Sequence, residues 1–144
     1  MTEENTIVTY VDACLLMAAF RNGDPRNEDP RNKRAKDILN DKRRTFLASD
    51  GLRLEVMPKA IYNKCPREVE FYERFFARAQ RLPTTEAIVQ RACEIASRYD
   101  IAPMDAIHIA HAIEAGAKEF ITTEKTTKPM FRVLDIPMLS IADE

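Results

Sequence analysis

Four carboxylates in this chain stand where the surrounding pattern calls for other residue types. Asp12 closes an apolar, β-rich run, Glu55 interrupts an apolar helical stretch, Asp105 opens another, and Glu124 follows a second short apolar run. Acids gathered at the ends of buried elements repel one another and lose hydration, so they keep their charge only where a cation neutralises it. Carboxylate oxygens are hard donors and suit Mg2+ or Mn2+. Taken singly, each acid has a plainer role. Asp12 caps the helix that starts at Ala13, Asp105 complements the dipole of a helix opened by Pro103, Glu55 pairs with Lys59, and Glu124 sits in a loop. Their joint occurrence is what points to a metal site.

The elements that position these acids follow from the apolar periodicity. Residues 6–11 (TIVTYV) form a strand that runs through Asp12 and Ala13 straight into the helical segment CLLMAAF, the opening of an α/β unit. Residues 21–32 hold two prolines, three asparagines and a glycine, which predicts a mobile loop. Residues 33–44 predict an exposed helix with a narrow seam of Ala35, Ile38 and Leu39, and its Lys33, Arg34, Lys36, Lys42, Arg43 and Arg44 are the densest basic cluster in the chain. Residues 45–48 predict a second strand, followed by a helix capped by Ser49 or Asp50 and running to about Lys64, with Pro58 as a kink or break.

Further along, residues 68–82 predict an amphipathic, aromatic-rich helix, and Thr84 or Thr85 caps another that carries Ile88, Ala92, Ile95, Ala96 and Tyr99 on one face. Pro103 starts a helix that Gly116 stops. On it Asp105 shares a face with His108, Ile109 and Ala112 and therefore points inward, as Glu55 does beside Leu52 and Val56. Residues 118–122 (KEFIT) predict another strand, and two short apolar pieces, 131–136 and 138–141, flank Pro137. Strands alternating with helices across long connections predict one α/β domain over residues 1–144, a central parallel sheet of four or five strands with helices on both sides. Ligands of such sheets bind beyond the carboxyl ends of the strands, near the reversal in strand order, and Asp12 and Glu124 both follow strands on that edge.

Composition bounds the function without naming it. A chain of 144 residues with 45% hydrophobic content suits a single core, and a formal charge of −1 excludes a uniformly basic nucleic-acid coat. Cys14, Cys65 and Cys93 are odd in number and lie in or beside apolar runs, which reads as reduced, buried thiols and favours the cytoplasm. No signal peptide is apparent and no apolar stretch approaches membrane-spanning length, so a soluble protein is expected. No phosphate-cradling glycine loop occurs. His108 and His111 lack zinc-type spacing and have no cysteine beside them, so His108 reads better as a hydrogen-bonded core residue.

The strand-then-acid IVTYVD, the internal acid of LRLEV, the helix-opening MDAIHIA and the post-strand FITTEK together make the chain resemble a PIN domain over nearly its whole length. The resemblance implies a three-layer α/β/α sandwich and an Mg2+- or Mn2+-dependent ribonuclease, often the toxin half of a VapBC toxin–antitoxin pair. It implies that Asp12, Glu55 and Asp105 are the three nearly universal acids and that Thr122 hydrogen-bonds the cluster. Glu124 stands where the family more often has Asp in a Thr-x-Asp motif, a departure that bears on a second ion more than on the first. RNA as substrate and a small antitoxin are the partners implied; independently, the aromatic-rich helix over 68–82 offers more apolar surface than one core face needs, which predicts a homodimer. Lys125, Lys128 and the 33–44 cluster are candidates for phosphate contact.

Two other readings are weighed against this one. A receiver-type signalling domain needs paired acids on its first strand, and Tyr10 and Val11 precede Asp12 instead. A PIN-like binding module whose metal site has decayed, acting through protein or RNA contacts, remains the alternative to the enzyme.

Overall fold

The computed structural model describes residues 6–21 and 29–142. The chain runs β1 (Ile7–Val11), α1 (Ala13–Phe20), α2 (Pro30–Leu39), β2 (Arg44–Ser49), α3 (Asp50–Tyr62), α4 (Pro66–Arg78), β3 (Gln80–Leu82), α5 (Glu86–Tyr99), α6 (Pro103–Glu114), β4 (Glu119–Thr122), a 3-10 turn (Pro129–Arg132) and β5 (Met138–Ser140). All four strand pairings are parallel, in the order β3-β2-β1-β4-β5. The sheet therefore grows outward from β1 in one direction and then in the other, and the reversal falls between β1 and β4.

Side-chain alternation along the strands divides the core into two layers. Val11, Phe46, Ala48 and Ile121 pack with α1, α2, α3 and α4, whereas Tyr10, Leu47 and Phe120 pack with α5, α6 and the 3-10 turn. Tyr10 lies level with both Leu47 and Phe120, and its ring stacks on Phe120 at 5.2 Å between centroids. The helices start where the sequence offers caps. Asp12, Ser49 and Thr85 each accept a backbone N–H of the turn they open. Gly116 has φ of 71°, the left-handed turn that ends the α6 region before β4.

Five expectations need correction. Of the loop expected over 21–32, residues 22–28 lie outside the described residues, and residues 30–32 already belong to α2, because Asp29 caps Arg31 and Pro30 presets the first turn. That helix ends at Leu39, so it does not reach 44, where β1 pairs with Arg44 as the start of β2. Pro58 does not break α3, which is continuous through it; Pro58 and Leu54 are both exposed, so the carbonyl left without a donor faces water. The helix expected over 68–82 stops at Arg78, and Gln80–Leu82 forms a short edge strand that exists by pairing with β2. Finally, Cys93 is exposed, and Cys14 and Cys65 are half-buried.

The aromatic residues of α4 are also used up internally. Tyr72 and Phe75 are buried, Phe71 packs against Phe20 and Tyr72, and Arg53 lies over the Phe76 ring. Exposed apolar side chains concentrate instead on α3, at Leu54, Ile61 and Tyr62. These placements separate core from surface leucines. Leu16→Ala, at a fully buried position, should cost about 2–5 kcal/mol in urea unfolding, while Leu54→Ala, 68% exposed, should stay within about 0.5 kcal/mol. Equal losses would contradict the packing described.

Candidate active site at the carboxyl ends of the strands

Asp12 sits at the reversal in strand order with only 4% of its surface exposed. Its backbone is extended (φ −93°, ψ 178°), the geometry of a helix cap, and Oδ1 accepts the Leu15 N–H at 3.1 Å. The other oxygen accepts from the Thr122 hydroxyl at 2.6 Å, a bond that crosses from the end of β1 to the end of β4. Thr122 Oγ1 in turn accepts the Glu124 N–H at 3.1 Å, so one hydroxyl ties the buried acid to the turn that carries the next. Burial pushes the Asp12 carboxyl up to about 6; the Thr122 bond opposes this, and the Asp105 charge adds to it.

Asp105 lies half-buried in the first turn of α6. Its carboxyl is also raised, first by burial and then by the Glu124 and Glu55 charges, against the pull of His108 and Lys128. Glu55 turns from α3 to His108 Nε2 rather than to Lys59. His108 is 2% exposed, as expected of a hydrogen-bonded core histidine, and its Nδ1 meets the Tyr10 hydroxyl at 2.6 Å. Glu124 Oε1 accepts from the Cys14 thiol at 3.7 Å. Burial, reinforced by the Asp12 and Glu124 charges, pushes that thiol up to about 12, so sulfur is present as a neutral donor.

The four acids predicted from the sequence therefore share one end of the sheet and act on one another electrostatically. Among the described residues, however, no three Asp, Glu, His or Cys side chains converge on a single point as a closed metal cage. Oxygen donors, a protonated thiol and two raised carboxyls together make an anionic cradle short of positive charge. That fits a hard cation of the Mg2+ kind, which commonly takes only one or two carboxylates and keeps several waters. His111, expected to be no zinc ligand, bonds Thr84 at 2.8 Å, and burial lowers its pKa to about 4.

The predicted basic groups divide. Lys125 and Lys128 line a cleft that includes Glu124 and Thr123, beside a second cleft formed with Cys14, Met17 and Arg21. Arg43 and Arg44 are at the opposite, amino edge of the sheet, where Asp41 binds both and Arg44 also binds Glu119. Lys33 pairs with Asp37. The sequence reading missed Tyr10 and Ser49, which connect to Glu55 through His108. The available signal was the hydroxyl of Tyr10, two residues before Asp12 in a β-rich run.

A doubly covered parallel sheet with acids clustered beyond the strand ends at its reversal defines an α/β domain with a polar site on its carboxyl edge. The PIN domain model matches residues 9–128, and the chain belongs to the PIN domain family. Solved structures share the fold. VapBC2 from Rickettsia felis, solved bound to a DNA fragment from its promoter, matches at TM-score 0.66 and 13% identity over 92% of this chain and 97% of that one. A toxin–antitoxin complex from Klebsiella pneumoniae matches at TM-score 0.67 and 18% identity, covering 89% and 94%. VapC20 from Mycobacterium tuberculosis, a toxin that cleaves the sarcin–ricin loop, matches at TM-score 0.61 and 19% identity, covering 78% and 86%. No curated protein matches the chain.

The Asp12 environment sets a pH dependence in metal-free buffer. Its carboxyl holds a proton up to about pH 6 in the native state against an ordinary value of 3.8, so native stability falls as pH rises through that window, by roughly 3 kcal/mol at most. His111 acts in the opposite sense: with its pKa lowered from 6.5 to about 4, stability rises with pH across that interval. Comparison with Asp12→Asn isolates the first effect. Urea titrations in chelator at pH 4, 5, 6 and 7 should show the Asn variant gaining on the wild type as pH rises. A difference that stays constant would mean that Asp12 titrates as an ordinary carboxyl.

Proposed function

We propose that this chain is a divalent-metal-dependent endoribonuclease, the toxin component of a VapBC-type toxin–antitoxin pair acting in the cytoplasm. The observation that carries the reading is the gathering of Asp12, Asp105, Glu55 and Glu124 at the carboxyl edge of a PIN fold, where Asp12 and Asp105 are held above the ordinary carboxylate range, first by burial and then by neighbouring acids. Asp12 and Asp105 would hold the principal Mg2+ or Mn2+, Glu55 would complete its surroundings directly or through a water, and Glu124 would take an outer place or serve a second ion. A cation held by these residues would supply an anchor for the scissile phosphate and a more acidic bound water. Thr122 keeps Asp12 from rotating. Lys125 and Lys128, on the cleft that includes Glu124, offset the charge of the incoming RNA backbone.

A second reading, a binding module without catalysis, is favoured by the absence among the described residues of a closed three-ligand group. A Mn2+ thermal-shift titration separates the two, since a decayed site gives no strong metal-dependent rise in melting temperature. The small antitoxin proposed as partner covers the acidic edge with an Arg or Lys in place of the cation. Leu54, Ile61 and Tyr62 on α3 offer apolar surface for a homodimer. No helix among the described residues is long and apolar enough to cross a membrane.

Asp12→Asn and Asp105→Asn should keep the fold by circular dichroism and reduce Mn2+-dependent RNA cleavage to background. Wild-type rates in either would remove that residue from the site. Glu124→Ala should lose no more than about 10- to 100-fold, and Glu124→Asp should be tolerated or improved, because the longer side chain holds an ion less rigidly. If Glu124→Ala is as inactive as Asp105→Asn at saturating Mn2+, Glu124 binds the principal ion directly. Co-expression with the adjacent reading frame followed by affinity capture should recover a small protein, and failure to do so would count against the toxin assignment alone.

A further inference from the structure

Glu55 reaches the site from α3 with about a third of its side chain exposed, and the hydrogen bond that orients it comes from His108 on α6. Behind that histidine the contacts continue inward. Nδ1 meets the Tyr10 hydroxyl at 2.6 Å, Tyr10 meets Ser49 Oγ at 2.7 Å, and Ser49 Oγ accepts the Leu52 N–H at 3.0 Å. A carboxylate oxygen only accepts, so Nε2 carries the hydrogen given to Glu55. Nδ1 then accepts from Tyr10, Tyr10 accepts from Ser49, and each donor along the chain has an acceptor. Ser49 also caps α3, the helix that carries Glu55, so the chain leaves that helix at its start and returns to it six residues later.

We infer that the Ser49–Tyr10–His108 chain is a positioning device that holds Glu55 toward the metal cradle, leaving Oε2 free to meet the cation while Oε1 accepts from His108. Three features carry this beyond incidental core packing. Tyr10 and His108 are almost fully buried, yet their polar atoms are directed along one line that ends at the exposed carboxylate. Tyr10 lies on β1 two residues before Asp12, which follows at the strand end, so the device and the buried acid are carried by one short segment. A glutamate on a helix surface otherwise samples several rotamers, and ordering it at the moment of metal binding lowers affinity. Hydrogen-bond partners behind metal-binding groups typically contribute about 10- to 100-fold in affinity or activity.

This inference rests on the metal-nuclease reading. Its test compares Mn2+ affinity by isothermal titration calorimetry on the full chain stripped of metal, alongside cleavage kinetics. His108→Gln keeps an amide donor near the Nε2 position, whereas His108→Asn keeps a polar group only near Nδ1. The Asn variant should bind Mn2+ about 10- to 100-fold more weakly than wild type, and the Gln variant should recover most of that loss. Tyr10→Phe, which removes only the hydroxyl, should weaken binding less than the Asn variant and serves as the reading if that variant does not fold. His111→Asn, on the same helix but bonded to Thr84, should bind Mn2+ as wild type does. Wild-type affinity in both His108→Asn and Tyr10→Phe, or equal losses in the Asn and Gln variants, overturns the device and leaves the nuclease reading intact. A wild-type protein that binds no Mn2+ overturns both.

Discussion

The hydrogen bond from Thr122 to Asp12 is the contact around which the carboxyl edge of this sheet is organised. It joins the two central strands where strand order reverses, and it does so with the side chain of an acid that is almost completely buried. Each Asp12 oxygen has one protein donor, Leu15 N–H on one side and Thr122 on the other. Since each carboxylate oxygen accepts at more than one position, both retain acceptor capacity. Capping α1 and carrying a buried acid are therefore compatible demands on one residue, and burial, with the Asp105 charge added to it, holds the group above the ordinary carboxylate range.

The amino edge of the same sheet shows the contrasting arrangement. There Arg44 Nε binds Glu119 at 2.7 Å, Thr9 donates to the same carboxylate oxygen at 2.7 Å, and Asp41 is held down to about 2 by the Arg43 side chain and backbone N–H. Acids at that edge are matched by guanidinium groups. Acids at the carboxyl edge act on one another, and His108 and Lys128 oppose them only in part. A protein that neutralises its charges at one end of a sheet and not at the other has left that second end to be neutralised by something else.

Strand alternation explains how one short segment serves both layers. Along β1, Tyr10 faces α5 and α6 while Val11 faces the layer of α1 to α4, and Asp12 follows at the strand end. The polar chain through Tyr10 therefore runs beneath α6 without crossing the aromatic layer on the other face, where Phe46 packs against Phe75. The arrangement keeps a line of hydrogen-bonded groups in an otherwise apolar core with no buried side-chain donor or acceptor unsatisfied among the described residues.

Local patterns were enough to determine the class of fold and to single out acids that stand at the ends of buried elements. Strand-then-acid at Asp12, the cap at Thr85, Pro103 opening α6 and Gly116 closing it all depend on neighbours within a few residues, where hydrogen-bond and dihedral preferences act directly. The strand Gln80–Leu82 was not legible, because a three-residue edge strand carries no pattern of its own and is created by pairing with β2. Nor was the partner of Glu55: sequence spacing favoured Lys59 four residues away, and folding brought His108 from 53 residues away instead. The division of the basic residues between the two edges of the sheet was equally a matter of tertiary structure. Residue type and short-range spacing state which groups can do chemistry, whereas which of them meet depends on contacts between distant segments, and those are set by how the helices close over the sheet.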